Sequence, residues 1–421
     1  MRRSAKLREH KRSARPVCAS ARLKGERNLM STRIFVDGSV YSPVDPYATA
    51  MLVEDGFVRW VGSDSGARSI ADESATITEL DGALLTPAFA RALAPVAGKE
   101  APEILDYLQA YRAAGYHTHT LLASMEDVPD LVSALSYYSA EHGVPDIRLI
   151  LNATGVETDE LISAIKALRP LTEGERAIKG LQLVGIFVAP TEAPAAAQVA
   201  EDAALLLSID ASTSFANAAN AALTARKNHP WLSIRLDAAI STPQDPITDE
   251  HLTQLAEARI NLGLSVCEPE EDEATNDTVQ ALLAHAGGEA RETVASVARR
   301  ANAAGTSIAL GSDTQLYAPG AWPLIRELIN DEHGISARSA FAALTRGVYR
   351  LAHEENPFTG QFAPDTPAFV AQWRVEALMV QAPDSRVASW STDPRARIPL
   401  LPVLDEDSPL PILESVYTES N

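Results

Sequence analysis

The feature that most constrains this chain is a repeated alternation of short apolar runs and amphipathic stretches between residues 84 and 313. The apolar runs have the length of buried strands, and the stretches between them, such as APEILDYLQAYRAAG, have a helical period. We predict eight strands in these units: LLTPAFA (84–90), HTHTLLAS (117–124), IRLILNA (147–153), LQLVGIFVA (181–189), LLLSIDAS (205–212), WLSIRLDAA (231–239), INLGLSV (260–266) and SIALGSD (307–313).

Eight such units match a closed (β/α)8 barrel of about 250 residues, whereas a doubly wound sheet usually has fewer strands. The predicted fold class is therefore α/β, with a TIM-like barrel whose functional side chains lie at the carboxyl ends of the strands.

The segments on either side of the barrel predict a second, smaller unit. Residues 33–85 alternate like a β-meander with an Asp55-Gly56 hairpin turn, and β-like text returns after the predicted helix at 335–352. Because an isolated hairpin is marginal in water, we expect both segments to form one composite β-sandwich domain. The predicted domains are a basic tail (1–29), the β-domain (30–85 and 354–421, the latter with a tail) and the barrel (86–353).

Charge is divided unevenly along the chain. The formal net charge is -20, but residues 1–29 carry ten Lys or Arg against two Glu, which leaves -28 on the other 392 residues. This negative charge on residues 30–421 repels nucleic acid and anionic lipid. The tail has the composition of a disordered arm, and because Met30 begins MSTRIFVDG, an over-extended gene assignment is the simpler interpretation of residues 1–29.

Two cysteines, Cys18 and Cys267, provide neither a disulfide framework nor a metal site, and their number fits a reducing cytoplasm. No apolar run approaches the roughly 18 residues that cross a bilayer. We therefore expect a cytoplasmic protein.

The order of these segments, and the motifs IFVDGSVYSPVDPYATAMLVEDGFVRWVGS, LDGALLTPAFA, ALGSD (309–313) and FAPDTPAFVAQW, resembles the amidohydrolase superfamily, specifically amidohydrolase family 3. That resemblance implies hydrolysis of non-peptide carbon–nitrogen bonds by a water that one or two divalent ions activate. The family's ligands are a His-x-His on strand 1, often a Lys on strand 4, one His each on strands 5 and 6, and an Asp on strand 8.

Most of these ligand positions hold residues that cannot bind a metal. Alignment places Leu93 and Pro95 at the two histidines of strand 1, Gly185 at the lysine, and Ala216 or Asn217 near the histidine of strand 5. The strand-6 text SIRLDAA has no histidine either, and only Asp313 on strand 8 matches. A single carboxylate holds a divalent ion weakly, so we expect no metal cofactor unless the protein is an active enzyme, in which case Zn is the expected ion. Asp313 also has a simpler interpretation as a turn cap.

His117-Thr118-His119 is the one His-x-His of the chain. Residues two apart on a strand point to the same face, so both rings could converge there. Both residues open strand 2, however, which predicts a position at the bottom of the barrel, far from the catalytic rim. His229, before strand 6, is predicted to lie there too. We therefore expect these histidines to be packed or hydrogen bonded rather than metal ligands.

A metal-free hydrolase would need other groups at the barrel mouth. Paired carboxylates act as general acid and base, and the strand ends provide five candidates: Glu126, Asp210, Asp237, Glu268 and Asp313. Strand-end serines lack a histidine at the rim to act as their base, and these are Ser212, Ser214 and Ser312.

Two functional hypotheses follow. The first is a degenerate amidohydrolase-like protein with a binding, regulatory or assembly role, which leaves room for a small-molecule ligand at the barrel mouth and for a protein partner. The alternative is an active amidohydrolase that uses a reduced or rebuilt site around Asp313, and fold alone does not choose between them.

Overall fold

The computed structural model describes residues 32–417, except 73, 240–244, 267–292, 313–319, 332–333, 355, 382–389 and 392–398. Asp313 and Glu268, two of the predicted site residues, lie outside the described residues. Within the described part of the chain, no helix is both long enough and apolar enough to cross a membrane.

The N-terminal part consists of short strands and one helix. These elements are β1 (Thr32–Val36), β2 (Ser39–Val40), β3 (Ala50–Glu54), β4 (Phe57–Gly62), α1 (Asp64–Ile70), β5 (Thr76–Glu79) and β6 (Leu84–Pro87). Strands β3 and β4 form the predicted hairpin, and Asp55 and Gly56 at its turn have φ angles of 51° and 76°. Positive φ at both central positions is what a tight hairpin turn requires.

Eight parallel strands follow, with neighbours in sequence paired as neighbours in space. They are β7 (Phe89–Pro95), β8 (Tyr116–Ala123), β9 (Asp146–Asn152), β10 (Leu181–Val188), β11 (Leu206–Asp210), β12 (Ile234–Ala239), β13 (Asn261–Val266) and β14 (Ile308–Ser312). The first and last strands approach each other closely, since a Cβ atom on Gly311 would lie 3.1 Å from the backbone nitrogen of Ala92. The predicted eight-stranded barrel is confirmed.

Helices between the strands pack their apolar faces on the outside of the barrel. The described helices that follow β7 are α2 (Ala101–Ala113), α3 (Val128–His142), α4 (Thr158–Thr172), α5 (Ala193–Asp202), α6 (Phe215–Asn228), α7 (Asp249–Glu257), α8 (Val294–Ala304), α9 (Ala321–Asn330), α10 (Ala337–Ala343) and α11 (Arg346–Leu351). Alternation along each strand then directs every second residue into the barrel interior.

The C-terminal part returns to the small β-region, as predicted. Its strands are β15 (Val370–Arg374), β16 (Leu378–Gln381), β17 (Trp390–Ser391), β18 (Leu401–Pro402) and β19 (Ile412–Tyr417). One sheet has the order β19-β15-β6-β2, so that β15 pairs antiparallel with β6 from the N-terminal part. The two ends of the chain therefore share a sheet.

Two predicted elements differ from the observed ones. The run at 84–90 is divided: Leu84–Pro87 pairs with β15 in the small sheet, and the first barrel strand begins at Phe89. The run is largely apolar and does not alternate, so its periodicity could not reveal the division, which pairing with β15 imposes. The predicted helix at 335–352 is two helices, because Thr345 has φ -130° and ψ -101° between them.

Helix α11 closes the N-terminal end of the barrel. A Cβ atom on Gly347 would collide with the carbonyl oxygen of Ile308, at the start of β14, so only glycine lets the helix approach this closely. The Tyr349 hydroxyl lies 2.6 Å from Thr118 Oγ1 of β8. This end of the barrel is the floor, and the mouth lies at the opposite end of the strands.

Candidate functional site

The interior of the barrel is apolar where the resemblance expects metal ligands. Leu93, on β7, packs with Ile150 and Leu206 in a buried cluster. Gly185, on β10, lies against the same cluster, since a Cβ atom there would be 2.5 Å from Leu206 Cγ. Pro95 is the last residue of β7. These aliphatic side chains fill the space at the aligned strand-1 and strand-4 positions, and they offer no atom that can coordinate a metal.

The interior of the barrel also carries an ion pair. Arg235 and Asp237 are two residues apart on β12, so both side chains enter the barrel. Arg235 Nε lies 2.7 Å from Asp237 Oδ2, and Arg235 Nη2 lies 2.9 Å from Oδ1. The Ser208 hydroxyl donates a hydrogen bond to Asp237 Oδ2 as well. Both oxygens of this carboxylate are therefore engaged.

The guanidinium of Arg235 also crosses the barrel. Its Nη2 donates to the carbonyl oxygen of Ala92, on β7, over 3.2 Å, and the whole residue is buried, at 0% exposure. A permanent cation therefore lies inside the barrel, where it disfavours a second cation in a region of low dielectric. Two polar atoms of the interior, Arg235 Nη1 and Thr120 Oγ1, have no hydrogen-bond partner among the described residues, which suits bound water.

The two histidines of the His-x-His motif lie at the start of β8, at the floor end of the barrel, as predicted. His119 contacts helix α2, where its Nδ1 is 3.5 Å from the Tyr107 hydroxyl, and the ring of His117 lies 4.2 Å from that of Phe369. Burial lowers the pKa of His117 to about 4 and that of His119 to about 3. Both rings are therefore neutral at pH 7 and belong to packing between strand, helix and the C-terminal part.

The other predicted site residues that the structure describes are not brought together into one site. His229 precedes β12 and pairs with Glu201, over 2.7 Å. Asp210 is opposite Asp237 in the β11–β12 register, but its Oδ1 accepts the backbone N–H of Ser212. Ala216 and Asn217 lie in helix α6, and Ser214 is its N-cap residue. Glu126 lies in the turn after β8, and Ser312 is the last residue of β14.

The structural role of the interior charges was not predicted from the sequence. A second buried arginine, Arg148 on β9, lies 2.6 Å from Glu354 through Nη1 and 3.3 Å from Asp146 through Nε. Its guanidinium also lies over the ring of Tyr349 on helix α11. The available signal was a charged residue inside an otherwise apolar strand, as in IRLILNA and SIRLDAA. A long charged side chain in such a strand must find a partner inside the barrel.

The described side chains do not fit a divalent-metal site of the expected kind. The aligned positions on β7 and β10 hold aliphatic side chains or none, and the carboxylate of Asp237 is bound by Arg235 and Ser208. Among the described residues, no three His, Cys, Asp or Glu side chains are grouped closely enough to hold an ion.

Comparison with solved structures shows which proteins share this fold. An adenosine deaminase from Xanthomonas campestris with bound zinc aligns at TM-score 0.60 and 14% identity, over 92% of each chain. N-isopropylammelide isopropylaminohydrolase from Burkholderia multivorans aligns at TM-score 0.58 and 12% identity, over 82% of this chain and 93% of its own. An uncharacterized metal-dependent hydrolase from Pyrococcus furiosus aligns at TM-score 0.58 and 12% identity, over 81% and 98%.

No family model and no curated protein matches the sequence. At identities this low, the structural similarity shows that the chain has the fold of these hydrolases, without carrying their activities over to it.

Proposed function

We propose that this protein is a member of the amidohydrolase superfamily that has lost metal-dependent hydrolysis and has a binding or regulatory role. The observation that carries the proposal is the buried Arg235–Asp237 pair, which crosses the barrel to the carbonyl oxygen of Ala92. In a metal-dependent hydrolase of this fold, a divalent ion supplies the positive charge that activates water. Here a guanidinium supplies a fixed positive charge, and it has no coordination position to offer a water molecule.

The aliphatic side chains support the same proposal. Leu93, Ile150 and Leu206 are at most 6% exposed, so water and ions are excluded from this side of the interior. Restoring ligands one at a time would therefore require repacking of the barrel as well. The structural similarity to metal-dependent hydrolases supports descent from such enzymes. The packing of the barrel interior supports the loss of their reaction.

The test measures metal content and hydrolysis on the same sample. Purified full-length protein is loaded with Zn²⁺ or Mn²⁺, dialysed, and assayed by elemental analysis and against a panel of amides, formamides, cyclic imides and aminopurines. We expect less than a tenth of an ion per chain and no hydrolysis above buffer, since tight binding needs three or four ligands at fixed geometry.

Two variants distinguish the proposal from its alternative. Asp313→Asn removes the one family ligand position that the sequence retains, and Asp159→Asn is the matched control at an exposed aspartate of helix α4. One tightly held ion per chain, lost in Asp313→Asn and kept in Asp159→Asn, together with hydrolysis of any panel member, would overturn the proposal in favour of an active enzyme.

A further inference from the structure

A cavity of about 240 Å³ lies at the floor of the barrel, on the side away from the mouth. It is bounded by the start of β14, the end of α8, and helices α10 and α11, and Ser307, Ser339, Arg346 and Arg350 contribute polar side chains to it. Every residue that lines it is neutral or basic. The cavity therefore combines hydroxyl groups with cations and no carboxylate.

The basic residues around this cavity repel one another. Arg350 and Arg338 both lower the pKa of Arg346, after burial as the largest cause, so the three guanidinium groups are within electrostatic reach. The guanidinium groups of Arg148, Arg235 and Arg300 form ion pairs with aspartates. No carboxylate of a described residue lies within 4.0 Å of the side chains of Arg338, Arg346 or Arg350. Arg346 is half-buried, and Arg338 and Arg350 are exposed.

This arrangement is unfavourable for the protein alone. Arg346 and Arg350 are four residues apart on helix α11, a spacing at which like charges destabilise a helix. The chain also has 56 acidic residues against 36 basic ones, so acidic partners for arginine are in excess. Three arginines beside a cavity, none of them paired with a carboxylate in the part of the chain that the structure describes, form the arrangement expected where an anion is bound.

We propose that this cavity binds a small phosphate-bearing anion. Two guanidinium groups can each donate paired N–H bonds to phosphate oxygens, and Ser307 and Ser339 add hydroxyl donors. A phosphate dianion offsets more of the three positive charges than one carboxylate does. The net acidic body of the chain disfavours a long polyanion such as nucleic acid, which makes a small molecule the better fit.

The location links the proposed ligand to the barrel interior. Arg346 and Arg350 lie on the same helix as Tyr349 and Leu351, which close the floor: Tyr349 contacts Thr118, and Leu351 lies beside Gly263 of β13. An anion that neutralises the repulsion on helix α11 is expected to stabilise the floor of the barrel. The proposal does not depend on whether the barrel mouth is catalytic.

The experiment is calorimetric titration of the full chain with inorganic phosphate, beside glycerol 3-phosphate, citrate and chloride at matched ionic strength. We expect saturable binding of one phosphate per chain. Arg346→Gln and Arg350→Gln should each weaken it by about tenfold or more, the usual loss for a hydrogen bond to a charged group. Arg176→Gln, at an exposed arginine of another surface, is the matched control and should bind as the unchanged chain does.

Folding is followed by thermal unfolding of the same variants. Without phosphate, Arg350→Gln should unfold at the same or a higher temperature, and with phosphate only the unchanged chain and the control should gain stability. Tighter binding of glycerol 3-phosphate than of inorganic phosphate would support the proposal and would indicate that the bound phosphate group belongs to a larger molecule. Binding of citrate without phosphate, equal effects of phosphate and chloride, or unchanged affinity in both arginine variants would overturn it.

Discussion

Arg235, on the sixth barrel strand, donates a hydrogen bond from Nη2 to the carbonyl oxygen of Ala92, on the first, over 3.2 Å. The contact joins two strands that lie on different sides of the barrel, through a side chain that is fully buried. It gives the interior a fixed cation held by Asp237 and by a backbone carbonyl. The proposed loss of hydrolysis rests on this fixed cation.

Removing one partner of this pair should be costly. Asp237→Asn leaves the guanidinium of Arg235 buried without its carboxylate, and we expect a loss of about 3 to 5 kcal/mol in the free energy of unfolding, measured by urea denaturation. The double variant Arg235→Met with Asp237→Leu should recover part of that loss, because it removes both charges. A loss below about 1 kcal/mol in Asp237→Asn would contradict the buried pair.

Gly185 should not accept the lysine that the family resemblance expects there. Leu206 Cγ and Cδ1 would lie 2.5 and 2.6 Å from a Cβ atom at this position, so even Gly185→Ala should cost about 1 to 3 kcal/mol through overpacking. Gly185→Lys should cost more and should restore no metal binding. Leu206→Ala with Gly185→Ala is the control: it should cost less than the sum of the single changes, as coupled neighbours do.

Arg226 should be a major stabilising residue of the floor region. Its guanidinium donates to four backbone carbonyls that follow helices α6 and α7: Pro230 (3.1 Å), Leu232 (2.5 Å), Ala258 (2.9 Å) and Arg259 (3.2 Å). Arg226→Met keeps the aliphatic stem but removes these donors, and we expect a loss of about 3 kcal/mol in urea denaturation. Exposed Arg176→Met should change stability by less than about 0.5 kcal/mol, and equal losses in both variants would contradict the assignment.

Stability should fall in mild acid because of the two buried histidines. Their pKa values are about 4 for His117 and about 3 for His119 in the folded chain. Since the unfolded chain has histidine pKa values near 6.5, it binds more protons than the folded chain below that pH, and protonation favours unfolding. Each histidine should therefore lower the free energy of unfolding by about 2 kcal/mol between pH 7 and pH 5.

The measurement compares the pH dependence of variants rather than their absolute stability. His119→Gln should reduce the loss between pH 7 and pH 5 by about 2 kcal/mol, because only its own titration is removed. His142→Gln, at a partly exposed histidine of helix α3, is the control for a histidine-to-glutamine change outside the buried pair. The same loss in His119→Gln as in the parent would show that His119 is protonated in the folded protein.

Much of the barrel was readable from periodicity. The seven barrel strands β8 to β14 begin and end within a few residues of the predicted limits. Each is a short apolar run that lies between amphipathic helical segments. The hairpin at Asp55-Gly56 was readable as well, since that residue pair favours the required positive φ angles. The composite sheet followed from the need of each terminal segment for a partner.

Periodicity also identified positions in the interior without showing what fills them. Leu93 and Gly185 were recognised from the sequence as residues that cannot bind a metal, but not as parts of one cluster with Leu206. The division of residues 84–95 between two sheets was hidden for a related reason. Strand pairing is a contact between distant segments, and a continuous apolar run is compatible with either partner.

The sequence by itself determined the class of fold, the order of its strands and the residue types at the aligned ligand positions, because these follow from local patterns of polarity. Only the tertiary structure decided that Arg235 pairs with Asp237 and reaches the carbonyl oxygen of Ala92, and that two arginines line a cavity at the floor. The physical reason is that burial and pairing of charge depend on which strands and helices the closed barrel brings together, and that information is not local.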